Sequence, residues 1–355
     1  MKIILVGPGL LPIPPRGWGA IEILIADQSE MLKRLGYKVS IVNESNKRKA
    51  IDKINSLKGD IVHLHYDEHI DWVEEIHCPK IYITSHFGYL SSYSKRSILF
   101  KNELIFLLVK IIFKLTPQRI CRLIGLSIKQ RNLIEYFYIF EKFLATKAKV
   151  ICLSEEIINT YKEFNSKASL TLFHNGGRVD LINYSEKAKH ANEAICVGKI
   201  EIRKKQAYLQ NIKEIKFVGP IVDKKFNKKN ENYLGIWTRE NLYYNLTQYS
   251  TLVLISDGEA HPLVCCEALI AGLGLVISEE ASANIDKSLP FINIIKRNDI
   301  YREDYISNII KKNIKASKKY RNEIRQYGLS KFNIEILMKE YPPIRDSLTE
   351  EININ

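Results

Sequence analysis

The sequence predicts an α/β protein built from two doubly wound, parallel-sheet domains, and three observations carry that expectation. Short apolar runs alternate with segments of helical period along most of the chain. The alternation stops in a polar stretch near the middle and then resumes with a second set of apolar runs, mostly ending in Gly or Ser. A length of 355 residues suits two domains of ordinary size better than one.

In order along the chain, "KIILVG" (2–7) reads as a buried strand and "AIEILIADQSEMLKRLG" (20–36) as a helix stopped at Gly36. "KVSIVNE" (38–44) is again a strand, followed by a Lys-rich helix and the strand "DIVHLHY" (60–66). "KIYITSHFG" (80–88) and "KVICLSEE" (149–156) continue the set, the second leading into a helix. The stretch "GGRVDLINYSEKAKHAN" (176–192) loses its periodicity and is the expected linker. Beyond it, "AICVGKI", "IKFVGPI", "NYLGIW", "STLVLISDG" and "GLVISEE" read as short strands. "ILMKEYPPIRDSL" reads as helical up to Pro342. The expected domains are therefore 1–178, with an insertion at about 89–148, and 179–335, with 336–355 crossing back to the first.

Composition narrows the class. Hydrophobic content of 46% with 26% charged residues describes a folded globular chain. The start, "MKIILVGPGLLP", has too short an apolar run for a secretory signal. Cysteines 78, 121, 152, 196, 265 and 266 form no C-x-x-C pair, which fits a reducing cytosol and argues against disulfides or a zinc ribbon. No stretch reaches the roughly 18 consecutive apolar residues of a spanning helix. A cytoplasmic protein, at most peripheral on the inner face of a membrane, is the expectation.

The net charge of +13 is unevenly placed. Lys95 to Lys149 holds twelve Lys or Arg against three Glu, interleaved with "LIFLLVKIIFKL" (104–115) and "LIEYFYIF" (133–140). Two readings stay open: a segment lying on an anionic membrane surface, or a helical insertion packed on its own domain with its lysines solvated. Nucleic acid is not expected, because the chain has neither an aromatic-and-glycine RNA motif nor a DNA-reading helix.

Gly7-x-Gly9 after the first strand, with Glu44 after the second, suggests a dinucleotide site, but the third glycine of the fingerprint is missing. Pro12, Pro14 and Pro15 also forbid an immediate helix start. "RGWGAIE" (16–22) instead places Gly17 and Gly19 before the first helix, where backbone N–H groups can approach an anion, or where an ordinary loop simply turns. In the second half, "VGKIEIRKKQ" (197–206) supplies Lys199, Arg203, Lys204 and Lys205 at a strand's carboxyl end. That cluster suits a diphosphate or forms a solvated turn. His63 and His65 share a strand face and invite a metal reading with His86, although no carboxylate or thiol obviously joins them.

One stretch stands out. "GEAHPLVCCEALIAGLGLVIS" sets Glu259 and Glu267 eight positions apart, the first in a loop and the second in an apolar helix. A buried, unpaired carboxylate costs several kcal/mol, so Glu267 needs a partner. This E-x7-E pattern, with "GWGAIE", "DIVHLH", "ITSHFG", "CLSEE", "HNGGRVD" and the pair Lys199 and Lys204 in the same order, resembles the GT-B glycosyltransferases, most closely the retaining family 4 type. The resemblance covers most of the chain outside 89–148.

The resemblance implies two Rossmann-like domains facing a cleft, with the acceptor on the first and a nucleotide-sugar donor on the second. Glu259 would grip the donor sugar, and the stretch His261, Pro262 and Leu263 would add backbone contacts. Glu267 would take the ribose hydroxyls. Lys199 and Lys204 would clamp the diphosphate, Gly17 and Gly19 would form the glycine loop, and His86 would contact the transferring centre. A glycan or lipid-linked acceptor is implied, and no metal or cofactor. A catalytically silent membrane-surface scaffold and a sugar epimerase or phosphorylase are the alternatives. The chain departs from the family pattern at Lys199 (for Arg), Ala260 (for Gly) and Gly274 (for Pro), and the segment after Lys204 is short.

Overall fold

The computed structural model describes residues 1–93 and 128–354. They group into two compact units: Met1–Leu10, Gly36–His174 and Pro342–Asn355 form the first, Leu11–Leu35 and Asn175–Tyr341 the second.

The first unit holds a six-stranded sheet of β1 (Lys2–Gly7), β2 (Lys38–Asn43), β3 (Ile61–Leu64), β4 (Lys80–Thr84), β5 (Lys149–Cys152) and β6 (Leu170–Leu172). Its order is β2-β1-β3-β4-β5-β6, with every pair parallel. Ile3, Ile4, Leu5 and Val6 are all solvent-free, as expected of a central parallel strand covered on both faces. The helix between β1 and β2, α1 (Ala20–Arg34), groups with the second unit; Gly36 beyond its end adopts φ +88°. Helices α2 (Lys47–Leu57), α3 (Ile128–Ala145) and α4 (Glu155–Phe164) belong to the first unit. Their starts follow capping chemistry: Asn46 Oδ1 accepts from the Lys49 N–H, and Ser154 Oγ from the Ile157 N–H with Glu155 and Glu156 in the first turn.

The run 104–115 lies outside the described residues. The run 133–140 falls on α3, which buries Tyr136, Phe137, Phe140 and Phe143, with Phe140 against Tyr93, Tyr161 and Phe164. That part of the insertion therefore packs on its own unit. Among the described residues no helix is long and apolar enough to cross a membrane.

The second unit holds β7 (His190–Val197), β8 (Ile215–Val218), β9 (Tyr249–Leu254), β10 (Gly274–Ser278) and β11 (Ile292–Ile295), parallel throughout in the order β11-β10-β9-β7-β8. Its helices are α5 (Gln206–Leu209), α6 (Arg239–Asn245), α7 (Leu263–Ile270), α8 (Glu303–Lys319), α9 (Arg321–Phe332) and α10 (Ile334–Leu337). Strand alternation builds two cores. Leu252, Leu254, Leu275 and Ile277 pack with α7, while Val253, Ile255 and Val276 pack with Ile306, Ile310 and Ile314 of α8. Gly274 is fixed by packing: a Cβ there would stand 2.2 Å from Ser317 Oγ and 2.7 Å from Asn313 Oδ1.

Several expectations change. "NYLGIW" forms a single bridge, Tyr233 with Phe217, in place of a full strand, although it runs beside β8: the Phe217 N–H donates to Asn232 O, the Leu234 N–H to Phe217 O and the Gly219 N–H to Gly235 O, each at 2.9 Å. The three-residue β6 and the strand β11 were not anticipated. The helical turns before Pro342 stop at Glu340, as expected, but a further helix was not anticipated: α11 (Pro342–Ile354) opens on the two prolines, where a missing N–H costs nothing. Within the first unit, Asp346 of α11 accepts from Lys149 Nζ at 2.8 Å and from Tyr82 OH at 3.0 Å. The polar stretch 176–192 is tied into the second unit: the Gly177 N–H donates to Phe332 O at 2.8 Å, and the Arg178 guanidinium is buried.

Candidate functional site

The order of the second sheet decides where to look. From β7 the chain steps outward to β8 and then returns to β9 on the other side of β7. The gap between β7 and β9 is a topological switch point, and ligands of open α/β sheets lie beyond the carboxyl ends of such a pair. Those ends lead into 198–205 and 256–259.

After β7, Gly198 at φ +129° lets the chain turn back over the sheet. A Cβ there would meet Lys204 Nζ at 2.9 Å, so the amine lies on the space that glycine leaves. Lys199 Nζ pairs with Glu201 at 3.1 Å and stands 5.9 Å from the Trp18 ring centroid. Lys205, in the left-handed region at φ +59°, pairs with Asp257 at 2.7 Å. Lys204 forms no ion pair among the described residues, so it is the cation of this loop whose charge is not matched by a direct carboxylate contact.

After β9, Arg203 fastens the returning loop. Its Nη1 donates to Glu259 Oε1 at 2.9 Å, to Ser256 Oγ at 3.1 Å and to the Gly258 carbonyl, and its Nη2 donates to Glu201 Oε1 at 3.0 Å. Burial is the largest influence on Glu201 and would raise its pKa, but Arg203, Lys199 and Lys204 together bring it below the ordinary carboxylate value.

Pro262 forms the N-cap of α7. Leu263 is buried against Ile23 and Leu24 of α1. His261 is buried and pinned: its Nδ1 accepts from the Asn175 N–H at 3.1 Å, and its carbonyl from Asn175 Nδ2 at 2.8 Å. Glu267 is 2% exposed, and the partner its burial demands is supplied within the chain by Arg239 Nη2. Arg239 also donates to Tyr243 OH at 2.7 Å. Burial pushes the neighbouring Asp27 up to about 6, against the charges of Arg239 and Arg178 and with that of Glu267.

In the loop before α1, a Cβ at Gly17 would lie 3.1 Å from the Trp237 carbonyl. Gly19, at φ +125°, is the N-cap of α1, and a Cβ on it would lie 2.8 Å from Glu22 Oε2. The acidic group at this helix start is the chain's own buried Glu22, whose pKa is raised by burial against backbone hydrogen bonds at Glu22 and Leu11.

His86 belongs to the first unit, where its backbone N–H donates to Asp67 Oδ2 at 3.1 Å and its buried Nε2 has no hydrogen-bond partner among the described residues. His63 Nε2 and Thr84 Oγ1 are 2.7 Å apart. The His63 and His65 rings stand 3.8 Å apart, and the His65 and His86 rings 6.0 Å. Burial lowers the pKa of all three, that of His63 to about 3. Among the described residues no group of three or more His, Cys, Asp or Glu is placed to hold a metal ion.

Sequence reasoning placed Arg203 in a basic cluster without seeing its contact with Glu259, and passed over Arg239 entirely. An Arg 28 positions from Glu267 carries no local signal of pairing. The unpaired burial of Glu267 was the one available hint.

No protein-family model matches the chain, and no curated protein matches it. Solved structures do. Sucrose-phosphate synthase from Thermosynechococcus elongatus is similar with TM-score 0.68 and 13% identity, over 99% of this chain and 100% of that one. HepE of Anabaena, solved with UDP and glucose, is similar with TM-score 0.65 and 11% identity, over 99% and 100%. WaaG, a glycosyltransferase involved in lipopolysaccharide biosynthesis, is similar with TM-score 0.63 and 11% identity, over 96% and 98%. At such identities the likeness is one of fold, and with the two parallel sheets it makes this a GT-B fold.

Proposed function

We propose that the chain is a glycosyltransferase of the retaining family 4 type, a hexosyltransferase that moves a sugar from a nucleotide-sugar donor to a glycan or lipid-linked acceptor in surface polysaccharide or glycoconjugate synthesis. One observation carries the reading: the switch point of the second sheet presents Lys204, without a carboxylate partner among the described residues, over Gly198. A diphosphate would supply the missing countercharge. Neighbours of the same fold have been solved with UDP and with UDP-glucose, which supports a donor of that chemistry.

In this reading Lys204 and Lys199 stabilise charge developing on the leaving phosphate, with the amino end of α7 adding its dipole. Charge neutralisation thus falls to the protein, and a front-face displacement needs no nucleophilic carboxylate. Glu259 receives sugar hydroxyls, Glu267 the ribose once Arg239 shares it, and His86 contributes from the first unit. The basic residues of 95–149, a segment whose run 133–140 is packed on its own unit, face the inner surface of a membrane. A thermal-shift series with UDP-, GDP- and ADP-sugars tests the donor assignment: one class raises the wild-type Tm, and Lys204→Ala abolishes the shift. No shift with any donor, or an undiminished shift in Lys204→Ala, overturns it.

A second reading, a catalytically silent scaffold, is favoured by the occupation of Glu267 by Arg239. Mass spectrometry after incubation with the stabilising donor separates the two, since a scaffold binds it but neither transfers nor hydrolyses the sugar.

A further inference from the structure

We infer that Arg203 is the positioning residue that holds Glu259 for recognition of the donor's sugar; the inference rests on the donor reading above. Arg203 lies beside Lys204 in a loop rich in cations, and that company suggests an anion ligand. Its contacts say otherwise. Nη1 is directed at Glu259 Oε1, Ser256 Oγ and the Gly258 carbonyl, and Nη2 at Glu201 Oε1. Two carboxylates match its single charge, and both of its terminal nitrogens donate to protein acceptors. The Arg203 carbonyl also accepts from the Asp257 N–H at 2.9 Å, which closes the loop after β7 onto the loop after β9.

The effect on Glu259 is specific. Arg203 holds Oε1, while Oε2 takes no hydrogen bond among the described residues. The carboxylate side chain keeps 14% of its surface exposed, so the remaining oxygen is fixed in direction without being sealed. A carboxylate already desolvated and aimed can accept sugar hydroxyls without first giving up rotamer freedom. Arg203 therefore acts through Glu259 on the sugar and leaves the diphosphate to Lys204 and Lys199.

Isothermal titration with the pairs UDP and UDP-glucose, GDP and GDP-mannose, and ADP and ADP-glucose tests this, using the pair that binds the wild type. The readout is the Kd of the nucleotide divided by that of its sugar conjugate. In Arg203→Ala this ratio falls about tenfold, the scale of one lost charged hydrogen bond, while the Kd of the free nucleotide changes less than about twofold. Glu259→Ala gives the same fall, the double variant falls no further, and Arg203→Lys recovers part of the ratio. An unchanged ratio in Arg203→Ala, an equal loss of both affinities, or multiplicative losses in the double variant overturns the inference and leaves the donor reading standing. Failure of every pair to bind the wild type removes the donor reading, and the inference with it.

Discussion

Arg239 and Glu267 form an ion pair that is almost closed to water, the guanidinium keeping 13% and the carboxylate 3% of its side-chain surface exposed. Such a pair contributes little net stability, because desolvating both charges offsets most of their attraction. Breaking it is another matter. Arg239→Ala strands a buried carboxylate near Cys265 and Cys266, and the expected loss is about 3–5 kcal/mol in urea unfolding. Replacing both residues, Arg239→Met with Glu267→Leu, should bring stability back to near wild type. A single variant within about 1 kcal/mol of wild type would show that the pair is not formed in solution.

Acid should weaken the first unit before the second. Burial holds His63 at about 3, with the charge of His86 acting the same way, and holds His65 well below its ordinary value of 6.5. Folding therefore favours their neutral forms. Their contribution is complete above pH 6.5 and falls as pH drops below it; for His63 the fall continues toward 3 and amounts to about 1.4 kcal/mol one unit below 6.5. Asp27 in the second unit has the opposite sign. Its folded value of about 6 lies above the usual 3.8, so its contribution is present at low pH and lost as pH rises through about 6. Hydrogen exchange, corrected for its intrinsic pH dependence, should show β3 and β4 losing protection at about pH 5.5 while β9 and β10 keep theirs. Equal loss in both sheets would contradict the assignment.

Much of this was legible in the chain and some could not have been. The clearest of the strands that were read correctly is an apolar run whose burial on both faces is written in its composition, Ile3 to Val6. "NYLGIW" has strand-like residues and does hydrogen-bond along β8, but it makes one bridge, Tyr233 with Phe217, and Gly235 then takes φ +81°, so the pairing stays too short for a strand. β6 is three residues long, too short to show a period. Gly274 looked like a departure from a family pattern, and Ser317 and Asn313 explain it only once α8 is packed on the sheet. The acids were visible from spacing. Their arginines were not, because Arg203 lies 56 residues from Glu259 and Arg239 lies 28 from Glu267, and only the folded chain brings them together.

Gly198 offers the sharpest test of the phosphate assignment, because it separates the position of a charge from its presence. Lys204 Nζ lies 2.9 Å from where a Cβ would stand, closer than side-chain carbons tolerate, yet the amine ends a flexible chain and can move aside. Gly198→Ala should therefore keep all four cations of the loop while displacing the one that is not ion-paired among the described residues. Its backbone at φ +129° adds strain, so a stability loss of about 1–3 kcal/mol is expected. Gly219, at φ +137°, is the control. Its Cβ would stand 2.1 Å from the Gly198 carbonyl and disturb the same turn, but it meets backbone and not the amine. Titration with a nucleoside diphosphate at low and high salt should show Gly198→Ala losing most of the salt-sensitive part of its affinity, as Lys204→Ala does. If Gly198→Ala binds the diphosphate as tightly as wild type while Lys204→Ala does not, the amine acts from another position and its place over Gly198 is not the bound one.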